Sequence, residues 1–244
     1  MPIEEPIILH AVPFSHPCMT VRAGMEHKGL EWEEVMWQSG PHADQIEEIY
    51  GTGRRTVPGI LIGDEPVHGS VAILEELERR IPENPLYPEP IADAVSAAER
   101  WADLEFQDLG RSLSFGALRF RPESLGTFVG AGDLDPAGID FAMKSVYLTW
   151  KYMGFTAVQL AEELENLPGM IARIDELAAQ GLIDGDEPTA ADLQIASTAR
   201  VLLTIADLHP VLEDSAAERI AMRYFADYPG LIKAGAFPAG WVKS

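Results

Sequence analysis

The chain has 244 residues, 47% hydrophobic and 23% charged, the balance of a globular protein with real cores in one large or two ordinary domains. Its 39 acidic and 18 basic residues give a formal net charge of -21, a field that repels phosphate backbones and argues against nucleic acid as a partner. A single cysteine, Cys18, excludes an intrachain disulfide framework and a cysteine-cluster zinc site, and no apolar run reaches the ~18 residues of a membrane-spanning helix.

Residues 7–12 form a short apolar run closed by Pro13 and predict a buried strand. Pro17 suits a first helical position, and Cys18, Val21 and Met25 recur at helical spacing. Lys28-Gly29 then supplies a basic last turn and a C-terminal glycine. Residues 30–37 alternate in part and read as a second strand, and 43–50 as a short helix. A third strand is expected at 56–62, a turn at Gly63-Asp64 and a short fourth strand at 66–68. From Ser70 the apolar Val71, Ile73, Leu74, Leu77 and Ile81 are interleaved with Glu75, Glu76, Glu78, Arg79 and Arg80, the pattern of an amphipathic helix. The order over residues 1–82 is therefore βαβαββα.

Pro82, Pro85, Pro88 and Pro90 mark a change of composition and an interdomain linker over 83–90. Residues 91–244 show no convincing strand. Helices are expected at 92–113, at 139–164 with Gly154 inside it, and at 169–180, 189–207 and 215–226. Six glycines and prolines make 121–140 a long loop or broken segment. The N-terminal residues do not resemble a signal peptide, so the cytoplasm is the expected location.

Three segments can carry chemistry. Ser15 stands just ahead of the first helix, where unpaired N–H groups and a partial positive charge favour an anion or a thiolate. Its hydroxyl either caps that helix or donates to a bound thiolate. Cys18 lies in the first turn and is a reactive thiol if exposed, but its spacing puts it on the Val21 and Met25 face, where it is inert. Thr56-Val57-Pro58 leads into the third strand. A cis Val57-Pro58 bond would turn the Val57 N–H and C=O outward toward a peptide-like ligand; most X–Pro bonds are trans, and the sequence does not choose. Gly69-Ser70 opens the third helix, where Ser70 is a good N-cap and, with the N–H groups that follow, a ready carboxylate site. In this order of elements all three segments lie along one sheet edge. The histidines are too scattered to argue a metal site, and no dinucleotide, calcium or hydrolase motif survives inspection.

Ser15-His16-Pro17-Cys18-Met19-Thr20-Val21, Thr56-Val57-Pro58-Gly59-Ile60-Leu61 and Gly69-Ser70-Val71-Ala72-Ile73-Leu74 together resemble the N-terminal half of a glutathione S-transferase. The first segment is most similar to theta-class and related bacterial enzymes, whose serine activates the glutathione thiol. Thr189-Ala190-Ala191-Asp192 matches the box that starts the family's central buried helix, a folding device and not a catalytic one. The resemblance spans nearly the whole chain. It implies a thioredoxin-like α/β domain over 1–82 and an all-α domain over 91–244, in a homodimer that conjugates glutathione to an apolar electrophile.

Residue by residue, the resemblance implies that Ser15 stabilises the thiolate. Thr56, Val57 and a cis Pro58 form the strand-three part of the site, with Val57 pairing to the cysteinyl backbone, and Ser70 binds the γ-glutamyl carboxylate. His42 and Arg54 or Arg55 fall where the glycyl end is often contacted. Gly69 stands where the family usually has Glu or Gln. That removes the side chain expected to hold the γ-glutamyl ammonium, a loss of roughly 1.5–3 kcal/mol if nothing replaces a charged hydrogen bond. Either an acid of the partner subunit substitutes, or the thiol is not glutathione. Phe14, Phe115, Phe120, Phe128, Trp150 and Trp241 are available to line an apolar subsite. Two other functions remain open: a binding protein that keeps the fold without transferase activity, and a Cys18-dependent thiol–disulfide oxidoreductase.

Overall fold

The computed structural model describes residues 3, 5–38, 42–228 and 230–243. Its N-terminal part runs β1 (Ile7–Ala11), α1 (His16–His27), β2 (Glu33–Met36), α2 (His42–Tyr50), β3 (Gly59–Ile62), β4 (Glu65–His68) and α3 (Ser70–Arg80), the order the patterning predicts. The four strands form one sheet in the order β2-β1-β3-β4, with β2 parallel to β1 and the other pairs antiparallel. The apolar stripes of α1 and α3 meet over the sheet, so that Val21, Met25, Ile73, Leu74 and Leu77 are all buried with Leu9 and Ile60. β2 pairs on one side only and all four of its residues are exposed, which explains why the strand is shorter than the 30–37 its alternation suggests.

The second part is helical. α4 (Ala92–Trp101) passes through a π turn, Ala102–Phe106, into α5 (Gln107–Phe120), and a 3-10 turn at Pro122–Ser124 leads to the short α6 (Leu125–Phe128). α7 (Pro136–Met153) and α8 (Ala157–Ala179) follow, then α9 (Ala190–Leu202), a 3-10 turn at Ala206–Leu208, α10 (His209–Leu212) and α11 (Ala216–Phe225). The single helix expected at 139–164 is thus two helices. Gly154 adopts φ 72, the left-handed conformation that closes α7, and the Thr156 hydroxyl then caps α8 by accepting from Gln159 N. α8 continues through Pro168 and absorbs the separate helix expected at 169–180.

Every residue of α9 is buried, and the helix packs on α1, α4, α5 and α11. Its start is fixed locally. Thr189 Oγ1 accepts from Asp192 N at 3.2 Å, while Asp192 Oδ2 accepts from Thr189 N at 2.9 Å. Between the two parts, Leu86 is fully buried. Its N–H reaches the Glu78 carboxylate at 3.0 Å, and its carbonyl accepts from Ala190 N at 2.9 Å. The buried Lys28 ammonium ties α1 to the end of α3 and beyond, donating to Glu78 and to the carbonyls of Ile81 and Glu83. One apolar core runs from the sheet through α1 to α9. Among the described residues no helix is long and apolar enough to cross a membrane.

Candidate active site

Strand register brings the three segments together. His10 is paired with Gly59 and Gly59 with His68, so the end of β1, the lead-in to β3 and the end of β4 lie side by side at one end of the sheet. Gly69 N donates to Pro58 O at 3.0 Å, and His68 Nε2 donates to Thr56 O at 2.8 Å, which ties the β3 lead-in to the start of α3. The Val57-Pro58 bond is cis.

Ser15 is the N-cap of α1, half-buried, with its Oγ accepting from Cys18 N at 3.4 Å. Capping occupies a lone pair and leaves the hydroxyl proton free to turn toward a ligand, so the cap and donor roles are compatible. Cys18 is fully buried. Burial pushes its thiol up, against the smaller opposing effects of the Ser15 hydroxyl and the Val12 backbone, so it is not a thiolate at neutral pH. Its neighbour His16 is also buried. Desolvation, aided by the Arg111 charge, holds its imidazole down to about 3, and its Nδ1 has no partner among the described residues.

At the start of α3 the structure departs from expectation. The N-cap is Gly69, at φ 95, and Ser70 is the first helical residue. The Ser70 hydroxyl therefore does not cap; it donates to Asp103 Oδ1 at 3.5 Å across the seam with the helical part. A Cβ at Gly69 would meet nothing within 4 Å, so the place where a longer side chain would stand is open.

The expected contacts to the far end of a ligand are arranged differently again. Arg55 is drawn onto α2, where it holds Asp44 at 2.6 Å and also Glu47. Arg54 donates to Tyr50 O at 3.0 Å. His42 heads α2 beside the Gln38 carbonyl at 3.2 Å, and burial lowers its pKa. An incoming carboxylate at Arg55 must compete with two resident ones.

Residues 9–85 match the glutathione S-transferase N-terminal domain family. Residues 9–85 thus carry a glutathione S-transferase N-terminal domain. Among solved structures it is similar to the beta-etherase LigF from Sphingobium sp. strain SYK-6, at 22% identity and a TM-score of 0.58, over 80% of this chain and 83% of that one. It is also similar to glutathione transferase GSTFuA2 from Phanerochaete chrysosporium, at 18% identity and a TM-score of 0.58, over 93% and 100% of the two chains. The transferase CsGST63524 of Ceriporiopsis subvermispora, solved in complex with glutathione, is 19% identical with a TM-score of 0.56, over 92% of this chain and 93% of that one. At these identities the likeness is one of fold. No curated protein sequence matches the chain.

Within this glutathione S-transferase fold the aromatic candidates fall into three groups. Phe14, beside Ser15, packs on Phe128 and on Tyr228, with ring centroids 6.1 and 6.2 Å apart. Phe115 and Trp150 both meet Phe155, and Phe120 meets Trp241. The first group adjoins the candidate thiol site. The sequence reading missed Tyr228, and it missed Asp103 and Gln194. Asp103 sits in a helical pattern as an ordinary surface acid would, and its partners Ser70 and Gln194 are 33 and 91 residues away.

Proposed function

We propose that this protein is a glutathione transferase in which Ser15 and the N-terminus of α1 stabilise the thiolate of a thiol tripeptide, which then attacks an apolar electrophile. The observation that carries this reading is the meeting of Ser15, the cis Val57-Pro58 lead-in and the start of α3 at one end of the sheet. In it, Ser15 keeps its cap bond and donates its hydroxyl proton to the thiolate sulfur, lowering the thiol pKa toward neutrality and raising the reactive fraction. Thr56 and Val57 offer backbone to the cysteinyl residue, and Ser70 with the first N–H groups of α3 takes the γ-glutamyl carboxylate. The electrophile lies against Phe14, Phe128 and Tyr228, whose rings already pack together and lose little freedom on binding. The reading also carries a homodimer in the cytoplasm.

Conjugation of glutathione to a panel of aromatic electrophiles tests this. Ser15→Ala should lower the rate on the order of 10²–10³-fold with the fold intact, the usual consequence of removing one preorganised donor to a developing anion. Cys18→Ala should leave the rate nearly unchanged, because its thiol is buried and protonated. An inactive Cys18→Ala with an unaffected Ser15→Ala would instead establish a Cys18 redox enzyme. The second reading, a binding protein without transferase activity, draws support from the absent side chain at Gly69 and from Arg55 being already engaged. Ligand binding with no conjugation of any electrophile would select it.

A further inference from the structure

The chain turns into α1 through a strained residue. Phe14, directly before Ser15, has φ 61, in the left-handed region. The other non-glycine residues found there, among the described ones, are Asn84, Asp184 and Asp214, whose short polar side chains tolerate it. A bulky aromatic does not, and such a conformation persists only where its surroundings impose it. Tyr228 does so in two ways. Its ring meets the Phe14 ring edge to face, with centroids 6.2 Å apart and an interplanar angle of 88°, and its hydroxyl donates to Phe14 O at 3.5 Å.

Tyr228 is itself held from both sides. Arg200 of α9 is buried and has no carboxylate partner among the described residues. Its guanidinium donates instead to the carbonyls of Phe225, Ala226 and Tyr228, at 2.9, 3.4 and 2.5 Å, and its Cζ stands 5.5 Å from the centre of the Tyr228 ring. A buried cation without a counter-charge is costly, and what this one secures is the place of a single segment. Beyond Tyr228 the chain passes so close that a Cβ at Gly230 would stand 2.8 Å from Tyr228 Cε1 and 3.0 Å from Phe128 O. Leu231 is then bonded through both its N–H and its carbonyl to Thr127 of α6.

We propose that Tyr228 is a positioning residue for Ser15, holding the Phe14–Ser15 peptide in the orientation that aims the Ser15 hydroxyl at the thiol. This rests on Ser15 being the thiolate donor of the preceding section. A peptide unit is planar, so a donor on the Phe14 carbonyl also fixes the plane of the Ser15 N–H and the direction in which the Ser15 side chain leaves the backbone. The Tyr228 ring lines the electrophile subsite while its hydroxyl faces the Phe14 carbonyl, so Tyr228→Phe removes the positioning contact and keeps the lining. The contact is long, and the effect expected of it is correspondingly modest.

Conjugation rates across pH for the parent, Tyr228→Phe, Ser15→Ala and the double variant test the assignment. Tyr228→Phe should lower the rate at neutral pH about 2–5-fold and move the thiol ionisation in the profile to higher pH, toward that of Ser15→Ala. In the Ser15→Ala background the same change should alter the rate less than about twofold, because the hydroxyl acts only through Ser15. With Ser15→Ala itself slowed, an unmoved Tyr228→Phe profile would overturn the proposal. So would an equal loss with and without Ser15, which would show Tyr228 acting on the electrophile directly. If no electrophile is conjugated, or Ser15→Ala is as fast as the parent, the transferase reading fails and the structure of Tyr228→Phe decides the positioning separately. Phe14 released from its left-handed φ, with the Ser15 cap on Cys18 N displaced, sustains it; Phe14 and Ser15 unmoved sinks it.

Discussion

Glu99 shows what the seam between α3 and the helical part does to a single ionisable group. Burial raises its carboxyl to about 8, the Tyr87 hydroxyl opposes that by donating to it, and the acids Glu75 and Asp103 add to the shift while Arg100 works weakly against it. An unfolded chain releases this proton near the ordinary 4.5. Between those values the folded state binds more protons than the unfolded one, so stability from this group falls as pH rises through the window. Glu99→Gln removes the penalty. Melting curves should place the variant near the parent at about pH 5 and roughly 5 °C or more above it at about pH 9, once the parent's carboxyl has been forced to ionise in place. A constant difference across that range would mean that Glu99 titrates normally.

At the scale of elements, the sheet end is held by a contact that admits no side chain. A Cβ at Gly59 would stand 2.3 Å from Tyr50 Cζ, and the ring has little room to retreat, because its hydroxyl is bonded to His10 Nδ1 at 3.1 Å and the tilted His68 ring packs beside it with centroids 5.4 Å apart. Gly59→Ala should therefore destabilise by about 1–3 kcal/mol, read from the midpoint of chemical denaturation. The elements themselves were largely legible. The βαβαββα order follows from periodicity and turn residues, and the α9 start from Thr189 and Asp192 three positions apart, because each signal is local. Gly154 was less so, since a glycine inside an apolar helical pattern reads as tolerated until its φ is known. The Gly69 N-cap was hidden for the same reason: Ser70 is the better capping residue, and only the backbone shows that the helix begins one position earlier than a Ser70 cap would have it. Asp103 was invisible, because its meaning comes from Ser70 and Gln194, which no window of the sequence brings near it.

For the whole molecule, charge opposes the proposed homodimer. Two copies at a net charge of -21 repel each other, so the dimer should tighten as salt screens them. Light scattering at micromolar concentration should give twice the chain mass at physiological ionic strength and a falling dimer fraction at low salt; a strictly monomeric mass at every salt concentration would rule the dimer out. Within one chain, the buried Lys28 works in the other direction. It spends its donors on Glu78, Ile81 and Glu83, while Leu86 is bonded to α3 on one side and to α9 on the other. The proline-marked stretch between the sheet and the helices is therefore bonded to both of them at Leu86. Ser70 and Asp103 add a side-chain tie at 3.5 Å, so the first turn of α3 is fastened to the helical part at its start as well as beyond its end.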